Sequence, residues 1–83
     1  MEISEAATEV LVRAYDAAAR FNPDAKVRIF RKKGQIQTGF ADNPKEGDAV
    51  IQHEGMTLYV APDVGEGTLT TSLEHDQLEL RSG

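Results

Sequence analysis

The stretch Lys26-Val27-Arg28-Ile29-Phe30-Arg31-Lys32-Lys33-Gly34-Gln35-Ile36-Gln37-Thr38-Gly39-Phe40 decides the fold. Apolar side chains recur in it with a period near two, and β-branched and aromatic types stand among charged and polar ones, as in strands with one buried face. Residues 27–31 predict one strand, Lys32-Lys33-Gly34 a turn, and residues 35–40 a strand running back. The segment is therefore expected to be a β-hairpin.

Upstream the period is 3.6. Ser4 can cap a helix whose first turn carries Glu5, and Ala6, Ala7, Val10, Leu11, Ala14, Ala18 and Phe21 follow at three- and four-residue spacing. This predicts one amphipathic helix over 5–20, with Arg13, Asp16 and Arg20 on its wet side. Its many alanines favour helix and give a thin face suited to packing on a sheet. Asn22-Pro23-Asp24 ends it, because Pro lacks a donor and restricts its predecessor.

Downstream, Asp42-Asn43-Pro44-Lys45-Glu46-Gly47 is a polar loop. Residues 49–52 and 57–61 flank His53-Glu54-Gly55-Met56 as a second hairpin. Pro62-Asp63-Val64-Gly65-Glu66-Gly67 is irregular, and residues 68–73 and 77–80 form a last strand pair around Glu74-His75-Asp76. The expectation is an α+β fold in a single domain, residues 1–83: one N-terminal amphipathic helix, then a mostly antiparallel sheet of about six short strands. Phe30, Phe40 and Tyr59 are expected in the core, with one of them available as an exposed contact.

Nine Lys and Arg residues against fourteen Asp and Glu give a formal charge of −5. That balance argues against nucleic acid, whose binding depends on neutralising phosphates, and against an anionic membrane surface. No apolar run reaches the roughly 18 residues of a membrane span. The opening Met1-Glu2-Ile3-Ser4-Glu5 is acidic and has no secretory-signal pattern, so a cytoplasmic location is expected. The sequence contains no cysteine, which removes disulfides, thiolate metal sites and cysteine nucleophiles.

The residues give little catalytic signal. Ser4, Ser72 and Ser82 sit in no nucleophile motif, nearly every carboxylate falls in a turn or on a polar helix face, and residues 34–39 lack the context of a phosphate loop. The chain is expected not to be an enzyme and to hold no cofactor. His53 and His75, each beside acids at a predicted turn, are the candidate metal ligands, with Glu54, Glu74 and Asp76 as neighbours. Arg28, Arg31, Lys32 and Lys33 form a basic patch on an acidic chain, a candidate contact for an acidic protein partner.

In order, these pieces resemble the A-type iron–sulfur carrier family, the HesB/IscA-like proteins. Ile3-Ser4-Glu5-Ala6-Ala7 is similar to the family's helix leader, Val27-Arg28-Ile29-Phe30 to its Arg-containing strand, and residues 34–40 to its Gly-rich strand. The strongest likeness, to "GDxVxxxxGxxxxVDP", runs from Gly47-Asp48-Ala49-Val50 through Gly55 to Val60-Ala61-Pro62-Asp63; Gly67-Thr68-Leu69 resembles a later strand. The resemblance implies a HesB-like fold and a link to iron–sulfur assembly. It transfers no ligand: the family's first cysteine position falls near Lys33, Gly34 or Gln35, and no Cys-Gly-Cys tail accompanies Arg81-Ser82-Gly83.

Function is accordingly expected to be that of a cysteine-free binding or accessory module. It would act as a homodimer or with a protein partner, through the 28–33 hairpin and the 62–67 loop. The alternative is an iron- or zinc-binding protein using His and carboxylate ligands.

Overall fold

The computed structural model describes residues 1–71 and 77–81. A two-residue strand, β1 (Glu2–Ile3), precedes the helix. Ser4 holds extended backbone, and its hydroxyl accepts the Ala7 N–H at 3.1 Å, so α1 (Glu5–Phe21) begins where a capping side chain meets an unpaired amide. It ends at Asn22, whose N–H still donates to the Ala18 carbonyl while its side chain accepts the Asp24 N–H. Ala7 and Ala18 are fully buried, as the thin alanine face anticipates, and Arg13, Asp16 and Arg20 are exposed.

Six strands follow: β2 (Lys26–Lys32), β3 (Gln35–Ala41), β4 (Ala49–His53), β5 (Met56–Val60), β6 (Thr68–Thr71) and β7 (Leu78–Arg81). The fold is α+β, but its sheets correct the expectation of about six strands in a mostly antiparallel sheet. Among the described residues seven strands form two mixed sheets, ordered β3-β2-β5-β4 and β1-β6-β7. The expected hairpins β2–β3 and β4–β5 are present, yet they join through parallel strands, with Val27 opposite Leu58 and Ile29 opposite Val60. β1 likewise runs parallel to β6, Ile3 opposite Leu69. Period-two patterning fixes which face a residue buries, and it is silent on which distant strand lies alongside.

The 42–48 loop carries the chain from one outer strand, β3, to the other, β4. Arg28, in the middle of that sheet, holds the end of this loop by gripping Asp48. Leu11, Val27, Ile29, Leu58, Val64 and Leu69 are buried in one core joining helix and both sheets. Burial contributes about 2 kcal/mol per such side chain before entropy is charged. Tyr59 is also buried, Phe30 is half-buried, and Phe40 is the exposed aromatic of the three, at 53%. No helix among the described residues is long and apolar enough to cross a membrane.

Candidate binding cleft

The β4–β5 hairpin turns on Glu54 and Gly55, both left-handed with φ of 51° and 77°. A two-residue turn of that kind matches the twist of its strands and sets His53 directly opposite Met56 at the tip. His53 Nε2 lies 2.8 Å from the Thr8 hydroxyl of α1. Thr8 Oγ1 also donates to the Ser4 carbonyl at 2.9 Å. A hydroxyl has one proton, so with that proton on Ser4 the His53 ring supplies the second bond as an Nε2–H donor. The hairpin tip is thereby pinned to the first turn of the helix.

A cleft of about 830 Å³ opens beside this contact. Ile3 and Val12 supply its apolar surface, Val12 being 40% exposed, and Glu5, Glu9, Arg13 and Glu54 its charged rim. Three carboxylates thus stand against one guanidinium, whose Nε reaches the Glu9 carbonyl at 3.5 Å. The arrangement offers apolar contact and negative charge, with the features of a binding surface.

The other sequence candidates are placed differently. Arg28 makes a two-point pair with Asp48, Nε–Oδ2 2.8 Å and Nη2–Oδ1 3.0 Å, and stacks 5.8 Å from the Phe30 ring centre. Asp48, its side chain fully covered, also accepts the Lys45 N–H. The hydrogen bond from Arg28 holds the Asp48 carboxyl below its ordinary range, outweighing burial, which pushes it up; the same bond raises Arg28. Arg31 donates to the carbonyls of Asp63, Val64 and Gly34. It does bring the hairpin against the 62–67 loop, around a hollow of about 370 Å³. Both guanidiniums of the basic patch are nevertheless engaged within the chain, and only Lys32 and Lys33 stand exposed at the tip. His75, Glu74 and Asp76 lie outside the described residues. Among the described residues no group of three or more His, Asp or Glu side chains is arranged to hold a metal ion.

Sequence reasoning missed Thr8 as the partner of His53, and Glu5 and Glu9 as fellow residues of the cleft. The available signal was the Glu54-Gly55 turn, which places His53 at a hairpin tip, but nothing local names the helix residue it meets.

The chain matches no protein-family model, no curated protein and no solved structure.

Proposed function

We propose that this chain is a non-enzymatic protein-binding module on a HesB/IscA-like scaffold, accessory to iron–sulfur assembly and without the cluster chemistry of that family. The cleft between α1 and the β4–β5 hairpin carries the reading. At about 830 Å³ it is roomy, and it combines apolar area with a charged rim. The ordering of helix leader, Arg-bearing strand and Gly-Asp segment supports the scaffold assignment, and the absence of cysteine removes the thiolates a cluster needs. The cleft is favoured over the basic strand because Arg28 and Arg31 are already bonded internally.

The test is a photocrosslinker at Val12, inside the cleft, compared with one at Phe21, 86% exposed at the far end of the helix. A discrete protein adduct from position 12 and none from position 21 is expected. An anaerobic titration with ferrous iron and then zinc, followed by amide spectra, is expected to leave His53 unshifted. Saturable metal-induced shifts there, or equal crosslinking from both positions, would overturn the reading in favour of a metal site or of no site.

A further inference from the structure

The cleft at the α1–His53 contact borders β4. A second hollow beside the strand, of about 300 Å³, is lined by Ala49 and Ile51 together with Met1 and Glu66. Ala49, Ile51 and His53 alternate along one face of the strand, and all three open onto these hollows; Met1 and Ile3 line the two hollows as well. β4 is also an outer strand of its sheet. In a two-residue hairpin the residues flanking the turn form a hydrogen-bonded pair, and such pairs alternate along an antiparallel ladder. His53–Met56, Ile51–Leu58 and Ala49–Val60 are then the bonded pairs, and the N–H and C=O groups of Val50 and Gln52 point away from β5. No described strand receives them.

Outer strands in natural proteins are commonly blunted with charge, proline or a bulge. β4, Ala49-Val50-Ile51-Gln52-His53, has none of these, in a chain of which 28% is charged. Val50 is 54% exposed on it. An open hydrogen-bonding row beside apolar hollows is the geometry that accepts an extended peptide as an added strand.

We infer that β4 is a strand-addition site for an extended segment of a partner protein whose cleft-facing residues, every second one along it, include both apolar side chains and Lys or Arg. The backbone of that segment pairs with Val50 and Gln52, its apolar side chains enter the hollows, and its cations meet Glu5, Glu9 and Glu54 at the cleft rim. Charge decides the occupant. A second copy of this chain would bring a net −5 and its own Glu54 toward the same acidic rim, whereas a basic segment is complementary. The inference rests on the binding-module reading and specifies its partner and mode.

The probe is a short synthetic peptide with Val and Lys or Arg in turn at every second position and Thr between them, beside a counterpart carrying Glu at every charged position. With the basic peptide, saturable amide shifts are expected along residues 49–54 and 3–13, with slowed hydrogen exchange at Val50 and Gln52. The acidic counterpart is expected to bind about tenfold more weakly or worse. Val50→Pro removes one outward donor at a position where an outer strand tolerates proline, and binding is expected to be lost with the fold retained. Should that variant not fold, Glu5→Lys with Glu9→Lys, both exposed, serves instead: preference should shift to the acidic peptide. Unchanged exchange at Val50 and Gln52 during saturable binding would overturn strand addition, as would concentration-dependent β4 shifts without peptide, which would assign the strand to a second copy. If position 12 crosslinks a partner while basic peptides leave β4 unmoved, strand addition falls and the module reading stands; if position 12 captures nothing, both fall.

Discussion

In the β2–β3 hairpin the left-handed turn residues are Lys33 and Gly34; in the β4–β5 hairpin they are Glu54 and Gly55. The turns are equivalent, and each hairpin has one inner and one outer strand; what differs is which strand comes first. β2 is interior, between β3 and β5, while β4 lies at the rim. A long cationic side chain on an interior strand is surrounded by loops and neighbouring strands, and Arg28 and Arg31 each find partners there, Asp48 for one and three carbonyls for the other. β4 carries no formally charged side chain apart from what His53 can acquire, and it leaves a backbone row open. Charge density along a sequence therefore measures demand for partners, and sheet order determines whether that demand is met inside the molecule.

Arg31→Ala gives the largest effect expected from this contrast. It removes the donors to Asp63, Val64 and Gly34, and Val64 is 1% exposed in the core. Hydrogen bonds from a charged donor contribute about 1.5–3 kcal/mol when well enclosed, and these are partly open to solvent, so a loss of about 1–2 kcal/mol is expected. Urea unfolding should show a lower midpoint with the same slope, and exchange at the Val64 amide, which donates to Ala61, should quicken. A variant as stable as the parent would return Arg31 to the pool of surface cations and erase the distinction between the hairpins.

The Arg28–Asp48 pair gives a second, pH-dependent effect. Asp48 is held below its ordinary value by the Arg28 hydrogen bond, so between the folded and unfolded values the unfolded chain binds more protons and stability rises with pH. The contribution is complete above the unfolded value and disappears as pH falls through the folded one. Chemical denaturation across the acid range should show this slope in the parent, and Asp48→Asn should flatten it while lowering stability at neutral pH. Identical slopes would mean that the loop crossing from β3 to β4 is held by something other than this ion pair.

Much of this architecture follows from local signals. Ser4 as cap, the helix from Glu5, both hairpins and the irregular 62–67 loop are set by capping, period and turn residues within a few positions of one another. The parallel pairings of β2 with β5 and of β1 with β6 join residues about 30 and 66 positions apart, and alternation carries no address for a partner at that distance. β1, with only Glu2 and Ile3, is too short to show a period at all. The candidate site divides the same way. His53 was visible as chemistry at a turn, whereas its bond to Thr8 depends on how the helix crosses the sheet. Arg28 and Arg31 were visible as charge, and their engagement depends on Asp48 and on the 62–67 loop coming to them.

The smallest effect is expected at the tip of the β2–β3 hairpin. Lys32 and Lys33 are exposed, and Lys33 already holds its left-handed conformation without a glycine, so a Glu there inherits the same backbone cost. Lys32→Glu with Lys33→Glu should change stability by no more than about 0.5 kcal/mol, measured by urea unfolding. It should also leave the Val12 crosslink intact, because the tip lines neither hollow beside β4. Loss of that adduct in a variant of parental stability would show that cations at the tip of the β2–β3 hairpin do reach the partner. Binding would then span both hairpins, and strand order would no longer separate the bonded from the available.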